Sequence, residues 1–301
     1  MKPPDHWRLL PHEIFFGLFL LVIWMRLGCE AGFLGRDALL YFVLIAANVW
    51  VIWFCRSNGT AMRWRLGLLF YPLAMNVVFL HMKTAIPKIH PERMDAVLQQ
   101  IDRLGIGTNL SLRLQPLVHP ALTEFFSFCY ILFFPYLLFS MICYFCGDVA
   151  LLKKFVTGLF TIYGMGFLGY SLLPAAGPYL FMADQFTKPL DGWWITKWNA
   201  AIVAAGSNKV DVFPSLHCAV SSFLLFFDRR HRPWRFKLYL VPAVGLWLST
   251  IYLRYHYFID VLCGFALAAF ALWIARRYPR KPDGGMPLAD AAPTPTADPT
   301  T

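Results

Sequence analysis

The sequence predicts an all-α integral membrane protein built as a bundle of about eight transmembrane helices. Of its 301 residues, 58% are hydrophobic and only 15% are charged, a balance that is unusual for a soluble domain. The apolar residues fall into separate runs, and several runs approach the roughly 20 residues that a helix needs to cross a bilayer. These runs are too long and too uniformly apolar for the alternating strands of a membrane barrel.

The candidate spans divide the chain into three parts. They cover residues 12–27, 38–54, 66–82, 121–146, 152–173, 213–228, 236–253 and 257–275. Residues 1–120 hold the first three spans and a long loop, and residues 121–280 hold the remaining five. The tail, 281–301, is rich in Pro, Ala and Thr and is predicted to be disordered. The first span lacks a small-residue cleavage pattern, so we expect an anchor and not a signal peptide.

The placement of Lys and Arg predicts the orientation. Eight spans put both termini on one side, and more than half of the 27 basic residues lie on that side, which is therefore predicted to be cytoplasmic. Residues 229–235, with four arginines, contribute most. Because the basic residues lie in loops beside anionic headgroups, the net charge of +10 is explained by membrane lipids as partners and does not indicate nucleic-acid binding. From the compact length we expect a bacterial inner membrane.

Two long segments, 83–120 and 174–212, are then predicted to be extracytoplasmic. In the first, apolar residues recur at spacings of three and four from Met94 to Leu104, which predicts an amphipathic helix closed by Gly105. Such a helix can lie along the membrane surface. The second segment carries three tryptophans, which fit the headgroup layer.

Two short motifs at the ends of apolar segments contain groups that are costly to bury near lipid. They are Phe-Pro-Ser-Leu-His at 213–217 and Arg-Tyr-His-Tyr-Phe-Ile-Asp at 254–260. His256 and Asp260 are four residues apart, so on a helix they share one face and the carboxylate can orient one imidazole nitrogen. The other nitrogen is then free to attack phosphorus and form a phosphohistidine.

The neighbouring residues supply the rest of a phosphate site at the extracytoplasmic face. His217 lies where a helix is predicted to start and can donate a proton to a leaving alkoxide. Ser215 is placed to cap that helix or to contact phosphate, and the guanidinium of Arg254 offers donors to phosphate oxygens. Two other interpretations stay open: a metal-dependent hydrolase with two histidines and one carboxylate as ligands, and a polytopic transporter with ionisable residues along its pathway.

The two motifs resemble the second and third signatures of the type 2 phosphatidic acid phosphatase (PAP2) superfamily, over residues 150–275. The greater similarity is to its inositol phosphorylceramide synthase branch, which transfers a phospho-headgroup between lipids. The resemblance implies a six-helix catalytic core that acts on a phospholipid or lipid phosphate without a cofactor or metal. It also implies that His256 is the nucleophile, Asp260 its partner and His217 the general acid.

The chain also departs from the phosphatase pattern of that superfamily. Leu216 stands where phosphatases have Gly, and Thr250 stands where they have Arg. The first signature is absent, and segment 174–179 occupies its approximate position. Leu216, with the aromatic run into Asp260, resembles the synthase type, so headgroup transfer in sphingolipid metabolism is one expectation and hydrolysis the other. The candidate substrate-loop residues are Gly177, Pro178, Tyr179 and Asp211.

Overall fold

A computed structural model describes residues 8–278 of the protein. In this range the chain forms fourteen α-helices and no strand. The helices are α1 (Pro11–Ala31), α2 (Arg36–Ser57), α3 (Ala61–Leu68), α4 (Phe70–Ile89), α5 (Asp95–Ile106), α6 (Leu110–Arg113), α7 (Pro120–Ile131), α8 (Phe133–Phe145), α9 (Val149–Leu172), α10 (Pro178–Phe181), α11 (Trp194–Gly206), α12 (Leu216–His231), α13 (Pro233–Tyr252) and α14 (Phe258–Arg277). The tail predicted to be disordered, 281–301, lies outside the described residues.

The prediction of an all-α membrane bundle is confirmed, and each predicted span corresponds to a helix or a pair of helices. Six helical segments in the described range are long and apolar enough to cross a membrane. They are Pro11–Ala31, Arg36–Ser57, Ala61–Ile89, Pro120–Phe145, Val149–Leu172 and Phe258–Arg277. The other two predicted spans are α12, which has only 16 residues, and α13, which carries Arg235 and Lys237 near its start.

Several boundaries differ from the prediction. The third and fourth spans are each divided into two helices, at Leu69 and at Leu132. The sixth begins at Leu216 because Ser215 caps the helix: its hydroxyl accepts a hydrogen bond of 3.3 Å from the backbone N–H of Cys218. The prediction that Gly105 closes the amphipathic helix is wrong. That helix, α5, ends at Ile106 and is capped by Gly107, whose φ of 75° is the left-handed conformation that glycine tolerates.

Helix α9 lies at the centre of the bundle. It packs against α1, α12 and α14, and most of its residues are buried. Its contact with α1 is close because Gly164 has no side chain: an added Cβ would lie 2.7 Å from the backbone nitrogen of Phe16. Small residues allow membrane helices to approach in this way. The functional site lies at the end of the bundle where α9 terminates.

A buried ion pair holds α12 and α13 together at the opposite end. The guanidinium of Arg235 is 3.1 Å from the carboxylate of Asp228, and both side chains are almost fully buried. The hydroxyls of Tyr136 and Tyr144 also donate hydrogen bonds to Asp228, and Ser140 accepts one from Arg235. Arg235, which the sequence placed among exposed juxtamembrane cations, therefore has a structural partner inside the bundle.

Candidate functional site

The two sequence motifs meet at one end of the bundle. The backbone N–H of Ser215, at the start of α12, donates a hydrogen bond of 3.0 Å to the backbone carbonyl of Asp260 in α14. This contact brings the rings of His217 and His256 to a centroid distance of 6.0 Å. The histidines thus come from segments 39 residues apart in the chain and face the same small volume.

His256 is presented by a tight loop between α13 and α14. The backbone N–H groups of Tyr255 and His256 both donate to the carbonyl of Thr250, at 2.9 and 3.0 Å. Arg254 adopts a φ of 66°, which lets the chain turn back over the end of α13. Thr250 contributes to this loop through its backbone carbonyl.

The carboxylate of Asp260 lies next to the imidazole of His256. Its Oδ2 is 3.5 Å from Nδ1 of His256, and it also accepts a hydrogen bond of 2.9 Å from the backbone N–H of Tyr257. Asp260 is fully buried and His256 is 3% exposed. Asp260 can therefore orient the ring from the Nδ1 side, which leaves Nε2 for chemistry.

Burial dominates the electrostatics of His256. It lowers the pKa of this histidine to about 4, while the charge of Asp211 and a hydrogen bond with the backbone of Val212 act in the opposite direction. Burial also raises the pKa of Asp211. At neutral pH the imidazole of His256 is consequently uncharged, which is the form that has a lone pair available for attack.

The second histidine is held by aromatic rings. His217 is half-buried, and its ring centroid lies 4.6 Å from that of Tyr130 and 4.9 Å from that of Phe133. The ring of Tyr130 also lies 4.9 Å from that of Tyr255 in the His256 loop. Tyr130 and Phe133 could not be predicted from the sequence, because in a chain with 28 phenylalanines and 13 tyrosines nothing local distinguishes them.

Arg254 and Leu216 make their described side-chain contacts with other parts of the protein. The guanidinium of Arg254 donates a hydrogen bond of 2.6 Å to the carbonyl of Lys188 and lies 4.1 Å from the ring centroid of Phe186. Leu216 packs against Gly166 of α9, where an added Cβ would lie 2.4 Å from Leu216 Cδ2. Arg254 therefore ties the long loop to the site, and Leu216 contributes to helix packing.

The substrate-loop candidates gather around the His256 loop. Gly177 has a φ of 93°, and a Cβ there would lie 2.4 Å from the carbonyl oxygen of Tyr255. Pro178 begins α10. The backbone N–H of Tyr179 donates to the carbonyl of Arg254 at 2.8 Å, and its ring lies 5.7 Å from that of Tyr255.

Asp211, in the segment before α12, also lies near the loop that carries His256. Its Oδ1 accepts a hydrogen bond of 3.3 Å from the hydroxyl of Ser207, and its charge acts on His256. The hydroxyl of Tyr179 in turn donates to Ser207 at 3.4 Å. The structure thus gathers the four candidates around the loop that carries His256, while the guanidinium of Arg254 contacts Lys188 and Phe186.

Two buried carboxylates on α5 anchor these loops, and neither was predicted from the sequence. Asp95 accepts hydrogen bonds from the backbone N–H groups of Ala176 and Gly177, and from the hydroxyl of Tyr257 at 3.0 Å. Two turns further along the same face of the helix, Asp102 accepts hydrogen bonds of 2.8 and 2.9 Å from the first two N–H groups of α14. Burial raises the pKa of Asp102.

The apolar residues of α5 are mostly on its exposed side. Val97 and Ile101 are each 41% exposed and Leu104 is 81% exposed, while Asp95 and Asp102 are buried. The amphipathic helix therefore turns its acidic side to the protein and its apolar side outward. This arrangement is typical of a helix that lies in the membrane interface. The spacing of the aspartates, seven residues, was a signal that the apolar pattern obscured.

The donor set does not form a metal centre in the described part of the chain. Among residues 8–278, no three His, Cys, Asp or Glu side chains are grouped so that they could hold a metal ion. The candidate residues form a series and do not surround one point. Asp260 contacts His256, and the ring of His256 faces that of His217.

The chain is similar to known proteins over the part that contains both motifs. The PAP2 superfamily matches residues 96–274, a range that begins in α5 and includes both motifs. A PA-phosphatase related-family protein of Dictyostelium discoideum is 26% identical over 125 residues, which is 40% of this chain and 23% of that protein. This chain therefore spans less than a quarter of that relative's length. No solved structure matches. Because the family match takes in more than half of the chain and both histidines, the protein belongs to the PAP2 superfamily.

Proposed function

We propose that the protein cleaves a phosphoester of a membrane lipid through a covalent phosphohistidine on His256, at the extracytoplasmic face. Membership of the PAP2 superfamily supports a lipid phosphatase-type activity. The observation that carries the proposal is the convergence of two histidines from separate segments, with ring centroids 6.0 Å apart and Asp260 behind the buried one.

The reaction proceeds in two steps. Nε2 of His256 attacks phosphorus, so that an N–P bond forms while the P–O bond to the leaving alkoxide breaks, and His217 protonates that alkoxide. Asp260 stabilises the positive charge that develops on the His256 ring. In the second step His217 removes a proton from an acceptor hydroxyl, whose oxygen attacks phosphorus and releases neutral His256.

The acceptor decides between hydrolysis and transfer. We propose transfer of a phospho-headgroup to a lipid hydroxyl, because His256 is 3% exposed and lies under the loop that carries Gly177 and Tyr179. A site that excludes water favours an acceptor that arrives through the bilayer. The similarity of the second and third motifs to the inositol phosphorylceramide synthase branch supports the same reaction. Water as acceptor would make the protein a lipid phosphatase.

The roles of the two histidines can be separated by the leaving group. A donor labelled with radioactive phosphorus should leave label on the wild-type protein after a rapid quench, stable to base and lost in acid, as a phosphohistidine is. His256→Ala should abolish this label with every donor. His217→Ala should abolish it with a lipid alkoxide leaving group but retain it with a p-nitrophenyl ester, which leaves without protonation.

His119→Gln provides the control, since this exposed histidine lies outside the site. Label retained on His256→Ala would refute the proposed nucleophile. The acceptor is then identified from the products formed with and without added ceramide, diacylglycerol or inositol. Free phosphate as the sole product in the presence of all three would refute transfer and leave hydrolysis.

A further inference from the structure

A pocket lies near the candidate site, at the same end of the bundle. Its volume is about 240 Å³. It is lined by the end of α4, the connection between α4 and α5, and two parts of the long segment 174–212. The lining residues are Lys83, Pro87, His90, Pro91, Arg93, Pro174, Asn208, Lys209 and Val210. Three of these residues are cations and none is an acid.

The three cations lack counter-ions. Within residues 8–278, the side chains of Lys83, Arg93 and Lys209 make no hydrogen bond or ion pair with the protein. Lys88, on the same helix as Lys83, shows the contrast, because its ammonium pairs with Asp37. The three positive charges around the pocket repel each other, and no acidic side chain in its lining offsets them. An anion that binds in the pocket would therefore stabilise them.

The backbone holds Lys209 in place at this pocket. Lys209 has a φ of 58°, a conformation that is unfavourable for a residue with a side chain. The turn is fastened by two contacts: the hydroxyl of Ser207 accepts the N–H of Lys209 at 3.1 Å, and the amide of Asn208 donates to the carbonyl of Phe79 in α4 at 2.7 Å. The second contact links the turn of Lys209 to the helix that carries Lys83.

The pocket is continuous with the loops around His256. Pro174 accepts a hydrogen bond of 2.7 Å from the N–H of Met94, and Ala176, two residues further on, is anchored by Asp95. Val210 lines the pocket and precedes Asp211, whose charge acts on His256. An anion in the pocket would therefore contact the two segments that border the catalytic histidine.

We propose that the pocket formed by Lys83, Arg93 and Lys209 binds a phosphate group distinct from the one attacked by His256. The ligand is a phosphate carried on a lipid headgroup or free inorganic phosphate. Its binding goes beyond the proposed catalytic reaction, because it depends on the three cations and does not depend on turnover.

Chemical labelling of lysines tests this proposal residue by residue. The full-length protein in detergent is treated with an acetylating reagent, with and without inorganic phosphate, and the modification of each lysine is followed by mass spectrometry. At a phosphate concentration ten times the dissociation constant, labelling of Lys83 and Lys209 should slow by about tenfold. Lys197, an exposed lysine of α11 outside the pocket, should be labelled at an unchanged rate.

The variant Arg93→Gln tests whether the cations act together. Arg93 is exposed and its side chain makes no hydrogen bond or ion pair in the described range, so the fold should be unaffected. The apparent affinity for phosphate, measured by protection of both lysines, should fall by roughly tenfold or more. Arg103→Gln, which removes an exposed cation of α5 outside the pocket, should leave protection intact. Equal protection in Arg93→Gln and wild type would overturn the proposal.

A second probe, dioctanoyl phosphatidic acid, distinguishes a lipid headgroup from free phosphate as the ligand. It is used with His256→Ala so that the probe is not consumed. Protection by inorganic phosphate identifies a free-phosphate site, and protection by the lipid alone identifies a headgroup subsite. Absence of protection with both probes overturns the proposal. Because labelling does not require catalysis, failure here is distinguishable from failure of the phosphohistidine mechanism.

Discussion

The backbone N–H of Ser215 lies 3.0 Å from the backbone carbonyl of Asp260, and this hydrogen bond fixes the segment of His217 on the segment of His256. One turn further along α14, Gly264 lets the two helices stay in contact, because a Cβ there would lie 2.6 Å from the carbonyl oxygen of Ser215. The separation of His217 and His256 is thus determined by main-chain contacts and by the absence of one side chain.

Substitution Gly264→Ala should therefore reduce turnover by at least about tenfold, because small displacements of catalytic groups are costly. The new methyl group has backbone as its neighbour and cannot be accommodated by rotation of a side chain. We expect the protein to remain folded, as judged by its thermal unfolding in detergent. Gly206→Ala is the matched control, since nothing lies within 4 Å of a Cβ at that position. Equal activity of both variants would contradict this account.

Asp102 offers a second test of positioning. In Asp102→Asn the side-chain oxygen can accept one N–H of the α14 terminus, but the amide group would face the other N–H without an acceptor. Because α14 begins two residues after His256, we expect kcat to fall by roughly tenfold while KM changes little. Glu92→Gln, an exposed acid just before α5, is the control. An increase in KM alone would instead indicate a role in substrate binding.

The sequence could predict the features of this fold that depend on local patterns, but not those that depend on contacts between distant residues. The spans followed from apolar runs, which are local patterns. The proximity of His256 and Asp260 was predicted from a spacing of four on one helix, but that helical placement is wrong: α14 begins at Phe258 and His256 lies in the loop before it. The contact of Asp102 with α14 crosses 156 residues and leaves no such pattern. The apolar spacing of α5 predicted a helix correctly, but it could not reveal that the acidic face is the one that packs on the protein.

The breaks within two spans, and α11 in the second long loop, could not be predicted for a related reason. Apolar residues continue through Leu69 and Leu132, so hydropathy shows one span where the backbone has two helices. Helix α11 begins without a local capping side chain, and its first N–H groups are instead satisfied by Glu124 of α7, at 2.7 Å for Ile195 and 3.1 Å for Thr196. Because the capping side chain belongs to a distant helix, the sequence around the start of α11 contains no capping residue that would predict it.

The pH dependence of the reaction should report the burial of His256. Burial lowers its pKa to about 4, from an ordinary value of 6.5. Attack requires the neutral ring, so kcat/KM should be maintained on acidification through pH 6.5 and lost as the pH falls through about 4. A soluble phosphodiester donor avoids titration of the substrate itself, and tryptophan fluorescence at each pH monitors folding. An acidic limb near pH 6.5 would show that the histidine is solvated.

The ion pair between α12 and α13 should be a main determinant of stability. Arg235→Met leaves the carboxylate of Asp228 buried without its cation, which typically costs about 3–5 kcal/mol. The double variant Asp228→Asn, Arg235→Met removes both charges and should recover part of the loss. Lys237→Met is the control, because this neighbouring cation is exposed. The free energies of unfolding follow from chemical denaturation in detergent. A single variant as stable as the control would show that the pair is dispensable.

Two native thiols can determine the orientation in the membrane. Cys29 and Cys146 are both exposed. Cys29 lies near the end of α1, where the guanidinium of Arg26 donates to the carbonyl of Ser171 at the end of α9, whereas Cys146 precedes the start of α9. The two thiols therefore lie at opposite ends of the central helix, with Cys29 at the end that carries the histidines.

If the site is extracytoplasmic, a membrane-impermeant maleimide added to intact cells should modify Cys29 and spare Cys146 until the membrane is permeabilised. Single variants Cys29→Ala and Cys146→Ala identify which thiol carries the label. This orientation follows from the basic residues, which favour the cytoplasmic side through their interaction with anionic headgroups and the insertion machinery. The reverse pattern of labelling would place His256 in the cytosol, and the lipid substrate would then have to be presented from the inner leaflet.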